Sequence, residues 1–193
     1  EHTPLHAGIH LPRDGVGNCR QFAQLLRAHA AAQGVGFAFE REVRRIVPGP
    51  TVELMVAAPG AVEAAERASF DAVVVCAGHV SPRLLGPLGV QIPILPIHGC
   101  SLTAPLRRFE GVGDLGPRSG LMDERYKVAI TRIGKRIRVA GSAEVGGAGD
   151  RLHRGAVRTL YKVLNDWFPA AADLSHALHW KGARPMLPDG PPL

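Results

Sequence analysis

One segment of the chain matches the glycine pattern of a dinucleotide-binding loop. Gly111, Gly113 and Gly116 stand in the run GVGDLG, which reads GxGxxG. Such a loop binds a pyrophosphate only when a hydrophobic strand precedes it and a helix follows it, because the helix N-terminus presents the amide groups. Here the charged run RRFE precedes the glycines and Pro117 begins the segment that follows. The context is wrong on both sides, so we expect residues 111–120 to form a flexible loop without a bound nucleotide.

The histidines could in principle ligate a metal, but their surroundings argue against it. The candidates are His2, His6, His10, His176 and His179. The first three recur every four residues, as on a metal-binding helix, but two prolines and a glycine interrupt any helix there. The other two have no third ligand near them in the sequence. We therefore predict no metal site.

No familiar nucleophile is visible either. The motifs GxSxG and HExxH do not occur, and Ser81 and Ser101 have no base beside them in the sequence. Their ordinary interpretation is as turn or strand residues. We therefore assign no catalytic side chain from the sequence.

Composition limits the possible partners and the compartment. The chain has 193 residues, of which 46% are hydrophobic, so it can bury the core of one large domain or two small lobes. Arginine supplies most of the net charge of +6, but aromatic residues are only 5% and no nucleic-acid-binding motif occurs, so we predict no nucleic-acid partner. Three widely spaced cysteines favour a reducing, cytoplasmic setting. No apolar run approaches the ~20 residues of a transmembrane helix.

The first half of the chain predicts a helix followed by strands. Asn18 is a suitable N-cap with Gln21 three residues later, apolar residues follow at helical spacing, and Gly34 suits the end of the helix. The predicted strands cover residues 35–40, the region of Val43 and Val47, and residues 51–57. Residues 70–76 (FDAVVVC) form a continuous β-branched run, typical of a strand covered on both faces.

The second half predicts a mostly antiparallel sheet with one long helix against it. The predicted strands are residues 101–104, 126–132, 136–140 and 178–181, and Gly134-Lys135 suits a two-residue hairpin turn. We expect Asp150 to cap a helix that runs to Phe168 and is closed by Pro169. The resulting fold class is α+β.

Four segments carry a resemblance to a known family. They are LPRDGVGNCRQF (residues 11–22), VVVCAGHVS (73–81), DERYKVAITRIGKRIRVAGSAE (123–144) and WKGARPMLPDGPP (180–192). In this order, with ILPIHGCSLT (94–103) between them, they resemble the D-amino-acid dehydrogenase branch of the D-amino-acid oxidase superfamily. The similarity extends over nearly the whole chain.

The resemblance implies a two-domain flavoprotein of which this chain is an interior segment. Residues 1–89 would belong to the FAD-binding domain and residues 90–193 to the substrate domain, with the Rossmann βαβ and its glycine fingerprint upstream. The implied reaction is FAD-dependent oxidation of D-amino acids to 2-oxo acids, by hydride transfer from Cα to flavin N5. Electrons would pass to a respiratory acceptor, with the protein peripheral to the cytoplasmic face of a bacterial inner membrane.

Two alternatives to this function remain open. One is a related flavoenzyme that oxidises glycine, sarcosine or another secondary amine. The other is a non-catalytic basic binding module that uses the arginine-rich face of the predicted helix 150–168.

The resemblance also assigns roles to five residues. Arg184 would bind the substrate carboxylate, a role that its planar, permanently charged fork suits, with a structural arginine as the alternative. Val43 would meet the flavin adenine through its backbone, and Ala77 and Gly78 would form a turn close to the cofactor. Gly99 would line the flavin or substrate wall, although its segment reads HGCS where this branch usually has KGYS.

Overall fold

The computed structural model describes residues 5–61, 66–146 and 151–190. Its contacts divide the chain into two compact units. The sheet unit comprises residues 1–22 and 97–183, and the hairpin unit comprises residues 23–96 and 184–193. The chain therefore leaves the hairpin unit between Pro96 and Ile97 and returns to it at Arg184.

Helix α1 spans Cys19–Ala32 and begins as the sequence predicts. The side-chain oxygen of Asn18 accepts a hydrogen bond from the backbone N–H of Gln21 at 3.3 Å, and Gly34 has a positive φ of 91° just beyond the helix end. None of its residues is buried, and Phe22 and Leu25 are 68% and 64% exposed. The predicted helix and both of its ends are confirmed.

The hairpin unit is built on a three-stranded antiparallel sheet in the order β1-β2-β3. The strands are β1 (Glu42–Val47), β2 (Val52–Ala57) and β3 (Glu66–Phe70). The short helix α2 (Ser81–Leu85) contacts β1, and Leu84 is buried, as are Ile46 and Ala57 on the strands. The predicted strands around Val43 and at residues 51–57 are confirmed.

Two predicted strands of this half are wrong. Residues 35–39 are irregular, and the alternating pattern there reflects Phe37 and Phe39, whose rings stack at 6.0 Å. Residues 71–77 are also irregular, and Val74 is 85% exposed. The reason lies in the register: Phe70 pairs with Val52, the first residue of β2, so the apolar run continues past the end of its partner strand. A strand of that composition needs neighbours and cover on both faces.

The sheet unit contains a five-stranded sheet in the order β10-β4-β9-β8-β7. The strands are β4 (Leu95–Pro105), β7 (Leu121–Asp123), β8 (Val128–Ile133), β9 (Arg136–Val145) and β10 (Leu178–Met186). Strands β8 and β9 are joined by the predicted two-residue turn, in which Gly134 has the positive φ (58°) that such a turn requires. Strands β4 and β10 are longer than predicted, and β10 includes Arg184.

Helix α3 (Arg154–Trp167) packs on one face of this sheet. The core between them consists mainly of Leu102, Ile130, Ile137, Val139, Leu160, Val163 and Leu164. The N-cap is His153, whose Nδ1 accepts a hydrogen bond from the Ala156 N–H at 3.3 Å. The predicted cap Asp150 lies outside the described residues. The helix thus begins later than predicted, while the α+β fold is confirmed.

The GxGxxG segment is a loop that contains a small two-stranded ribbon. Strand β6 (Gly113–Asp114) pairs with β5 (Arg108–Phe109), and strand β7 rather than a helix comes next. Both carboxylate oxygens of Asp114 accept hydrogen bonds from Arg132 at 2.7 Å. These bonds lower the pKa of Asp114 to about 2. The loop is therefore anchored to β8 and lacks the helix that phosphate binding requires.

Candidate functional site

Two of the predicted site segments lie side by side in the hairpin unit. Ala77 and Gly78 are half-buried at the start of a 3₁₀ turn (Gly78–Val80), and Gly78 has a positive φ of 56°. A Cβ placed on Gly78 would lie 4.0 Å from the Cγ of Pro185, the residue after Arg184. The structure thus brings the Ala77-Gly78 turn next to the segment that carries Arg184.

Arg184 is an exposed residue near the end of strand β10. Side chains alternate between the two faces of a strand, so Trp180, Gly182 and Arg184 share one face and Lys181 occupies the other. The strand before Arg184 is firmly held, because the Lys181 side chain is only 6% exposed. Its ammonium donates to the Arg151 carbonyl oxygen at 2.8 Å and lies 3.1 Å from Glu144 Oε2. An exposed guanidinium on a fixed strand is suited to binding an anion.

Val43 also lies in the hairpin unit, half-buried on β1 opposite Val56. Its neighbour Glu42 accepts a hydrogen bond from Arg83 of α2 at 2.7 Å, and this bond lowers the pKa of Glu42. The ion pair links β1 to the helix that follows the Gly78 turn. Val43 therefore shares a unit with three of the other candidate residues.

Gly99 lies in the sheet unit, buried in the middle of β4. The pairing of β4 with β9 shifts register between His98 and Cys100, because β9 carries one extra residue there. Ser142 in this bulge has a positive φ of 68°, and its hydroxyl accepts a hydrogen bond from the Cys100 N–H at 3.2 Å. Gly99 is thus at an irregular point of the sheet, and it is not grouped with the other four residues.

The predicted arginine-rich face of α3 borders a groove within the sheet unit. The groove has a volume of about 740 Å³ and is lined by Leu152, Arg154, Val157, Arg158, Tyr161 and His179. The side chains of His179 and Tyr161 lie in hydrogen-bonding contact at 3.1 Å. Both arginines are exposed, as the sequence predicts.

The described histidines do not join other ligand side chains in a metal site. Within residues 5–61, 66–146 and 151–190, no three His, Cys, Asp or Glu side chains come together as a metal site requires. His6 and His10 lie in an irregular segment, His2 lies outside the described residues, and His176 pairs with Asp173 at 2.7 Å. Over the same described residues, no helix is long and apolar enough to cross a membrane.

Comparison with known proteins identifies the family. The sequence profile of the family described as FAD dependent oxidoreductase (DAO) matches residues 1–193. The chain belongs to this family. The recognition made from the four sequence segments is therefore confirmed, and FAD is the cofactor of the family.

The similar proteins found include curated D-amino acid dehydrogenases. The chain is 44% identical over 187 residues to the D-amino acid dehydrogenase of Bradyrhizobium diazoefficiens and 45% identical over 187 residues to that of Rhodopseudomonas palustris. Each match covers 96% of this chain and 42% of the relative, so the chain spans about two-fifths of the length of these relatives.

A solved structure supports the fold independently. Glycine oxidase from Geobacillus kaustophilus matches with a TM-score of 0.66 at 22% identity, over 88% of this chain and 43% of that chain. At this identity the match shows the fold alone. It agrees with the α+β architecture.

The described residues fit part of a flavin site. At Gly78 the backbone has no Cβ and a left-handed conformation, so a ligand can approach it closely. The strand, glycine loop and helix that would hold a pyrophosphate are not found among the described residues. Among the described residues, Gly78 therefore offers a backbone position that a cofactor could approach closely.

Two structural features were not predicted from the sequence. One lies on the same face of β10 as Arg184, and the other lies on the adjacent strand β4. The indole of Trp180 lies over Gly182, and the hydroxyl of Ser101 is buried without a hydrogen-bond partner among the described residues. The alternation Trp180, Gly182, Arg184 could have indicated the first feature. Nothing local in the sequence indicates the second.

Proposed function

We propose that the full-length protein is an FAD-dependent dehydrogenase that oxidises D-amino acids to 2-oxo acids and ammonia. Membership of the FAD-dependent oxidoreductase family and the similarity to D-amino acid dehydrogenases support this reaction. The structural observation that carries it is the contact distance of 4.0 Å between a Cβ on Gly78 and Pro185. It places a carboxylate-binding candidate, Arg184, beside a turn that a cofactor can approach closely.

The role of Arg184 in the proposed reaction is to orient the substrate. Its guanidinium binds the carboxylate through two parallel hydrogen bonds, which fixes the direction of the Cα–H bond. When bound, FAD accepts the hydride that leaves Cα. The lone pair of the neutral amine forms the C=N bond as the hydride leaves, and water hydrolyses the resulting iminium ion to the 2-oxo acid and an ammonium ion. No strong base is required at Cα, which agrees with a site without an assigned catalytic side chain.

The remaining site residues are proposed to contact the cofactor. Ala77 and Gly78 would approach the flavin through their backbone, and Val43 would meet the adenine from strand β1. Gly99, buried on β4, would line the wall of the flavin or substrate site. On this view the hairpin unit is the FAD-domain part of the chain and the sheet unit is its substrate domain, a refinement of the division at residues 1–89 and 90–193.

The electron acceptor and the location are also proposals, made from the type of enzyme. A dehydrogenase passes its electrons to an acceptor other than molecular oxygen, and we propose a respiratory acceptor. The full-length protein would then work peripherally at the cytoplasmic face of the inner membrane. The second alternative was a non-catalytic basic binding module. Its only support is the exposed arginines of α3, whereas the family of the chain is one of oxidoreductases.

A substrate panel tests the proposal. Full-length protein with bound FAD would be assayed with an artificial electron acceptor against D-alanine, glycine and sarcosine, with 2-oxo acid formation measured. We expect kcat/KM to be highest for D-alanine. A higher kcat/KM for glycine or sarcosine would instead identify a related flavoenzyme that oxidises glycine, sarcosine or another secondary amine.

A further inference from the structure

The groove beside α3 is formed by that helix, the residues just before it and strand β10. We call it the α3 groove. Its volume is about 740 Å³, and the residues that line it are Leu152, Arg154, Val157, Arg158, Tyr161 and His179. All of them belong to the sheet unit, so the groove lies within a single unit. Sites that bind small molecules have volumes of roughly 300–1,000 Å³, and the α3 groove is of this size.

The walls of the α3 groove are held in place by the fold. Helix α3 packs on the sheet through its buried face. Just before the helix, the carbonyl oxygen of Arg151 accepts a hydrogen bond from the Lys181 ammonium of β10 at 2.8 Å. Within the groove, the side chains of Tyr161 and His179 join α3 to β10 at 3.1 Å. The groove is therefore preformed, and its walls need little ordering when a ligand binds.

The α3 groove carries positive charge. Arg154 and Arg158 are exposed, and residues four positions apart on a helix are neighbours on its surface. Within the part of the chain that the structure describes, neither guanidinium has an ion-pair partner, and the other charged side chains of α3, Lys162 and Asp166, pair with each other. The residues that line the groove include no carboxylate. The groove is thus complementary in charge to an anion.

The rest of the lining is apolar or aromatic. Leu152, Val157 and Tyr161 are half-buried beside the two arginines. A guanidinium binds a phosphate through two parallel hydrogen bonds, and hydrocarbon leaves water when it packs on leucine and valine. The lining therefore suits an anion that also carries an apolar chain.

The size of the α3 groove favours a lipid over a protein as its occupant. A stable protein–protein interface takes about 20–30 residues from each partner, several times the number that line this groove. A protein that works at the inner membrane also meets a leaflet rich in anionic phospholipids. These lipids have both a phosphate and apolar chains.

We propose that the α3 groove binds the headgroup of an anionic phospholipid. The phosphate lies between Arg154 and Arg158, and the first part of the acyl chains packs on Leu152 and Val157. This inference rests on the location given under the proposed function and names the surface that meets the membrane. None of the residues that line the groove is proposed to bind substrate or FAD, so oxidation of D-alanine with a soluble acceptor does not require it.

The test measures how full-length protein with bound FAD sediments with lipid vesicles. Vesicles of phosphatidylcholine alone are compared with vesicles that also contain phosphatidylglycerol. One basic residue at an anionic surface contributes about fivefold to the partition coefficient, so we expect Arg154→Gln with Arg158→Gln to lower it about thirtyfold. Arg154→Lys with Arg158→Lys should recover part of the binding, because the charge remains without the planar fork.

The matched control removes the same charge elsewhere in the sheet unit. Arg107 and Arg108 are also exposed, and they lie outside the α3 groove. Arg107→Gln with Arg108→Gln should change the partition coefficient by less than about threefold, because charges away from the bilayer are screened by salt. An equal fall in both double variants would show that net charge alone drives binding, and it would overturn the inference.

A second measurement distinguishes a lipid from a free anion. Dihexanoyl phosphatidylglycerol, which is soluble, should bind more tightly than glycerol phosphate, because only the lipid uses the apolar lining. Val157→Thr keeps the shape of the side chain but adds a hydroxyl, so it should weaken lipid binding and leave glycerol phosphate binding unchanged. Equal affinity for both ligands would identify a site for a free anion and contradict the proposal.

The outcomes separate this inference from the reaction proposed above. Oxidation of D-alanine with a soluble acceptor is measured for every variant, and we expect kcat/KM to stay close to wild type. An active protein that does not sediment with phosphatidylglycerol vesicles overturns the lipid site alone. A protein that sediments as expected but oxidises no D-amino acid overturns the proposed reaction alone.

Discussion

Replacing Arg184 with alanine in the full-length protein should remove the grip on the substrate carboxylate. A charge-assisted hydrogen bond contributes about 1.5–3 kcal/mol, and a bidentate contact contains two of them. At about 1.4 kcal/mol per power of ten, the expected fall in kcat/KM is roughly two to four powers of ten.

The conservative replacement refines the same prediction. Arg184→Lys keeps the charge but replaces the planar fork with a single ammonium, so we expect only partial rescue of kcat/KM. Both variants should keep their flavin, because Arg184 is assigned to the substrate and not to the cofactor. Flavin content is therefore measured alongside steady-state kinetics with a D-amino acid.

A matched control separates the loss of this arginine from the loss of any positive charge. Arg83 lies in the same unit, is exposed, and pairs with Glu42 at 2.7 Å instead of lying beside the proposed substrate. Arg83→Ala should leave kcat/KM close to wild type. Near-normal kcat/KM in Arg184→Ala would remove this residue from the site, and loss of flavin from it would show that its role was misassigned.

Three further predictions concern the cofactor, the Gly78 turn and the ion pair of the GxGxxG loop. The 193-residue chain alone should purify colourless, because its described residues include no pyrophosphate-binding loop; stoichiometric visible flavin absorbance would contradict this. Gly78→Ala should cost about 1–2 kcal/mol of stability, because φ is 56°, whereas Gly86→Ala, with no contact within 4 Å, should cost much less in the same thermal-unfolding assay. The pKa of Asp114 is lowered from 3.8 to about 2, so its pairing with Arg132 stabilises the fold above about pH 4 and that contribution is lost as the pH falls toward 2. Arg132→Met should therefore reduce the dependence of Tm on pH in that window, and an unchanged dependence would refute the assignment.

Features encoded by neighbouring residues could be predicted from the sequence. The cap of α1 depends on Asn18 and Gln21, three residues apart, and its end depends on the positive φ that Gly34 adopts. The β8–β9 hairpin likewise depends on Gly134 at its turn. In each case the residues that determine the geometry are close together in the chain, so their types alone indicate the outcome.

Features that depend on distant partners could not be predicted in this way. Residues 70–76 have the composition of a buried strand, but Phe70 already pairs with Val52, the first residue of β2, so β2 offers no partner to the residues that follow. His153 caps α3, although histidine is not among the preferred capping residues. The approach of Gly78 to Pro185 joins residues more than one hundred positions apart, and no local pattern encodes it.

The sequence supplies candidate site residues, whose roles stay predictions, but it does not supply their arrangement. The resemblance supplied Arg184, Val43, Ala77, Gly78 and Gly99, and the structure groups the first four in one unit. The roles of these residues remain proposals. The position of the Trp180 ring over Gly182 was not predicted, because only the folded strand reveals it.

Anaerobic reduction of the bound flavin tests the central claim most directly. Full-length protein with FAD is mixed, without oxygen or acceptor, with D-alanine, L-alanine, glycine or sarcosine, and the loss of the visible flavin absorbance is followed in a single turnover. Our account predicts rapid bleaching and one equivalent of 2-oxo acid with the D-isomer, and slow or no bleaching with the L-isomer. Equal bleaching by both isomers, or bleaching by glycine or sarcosine alone, would contradict it.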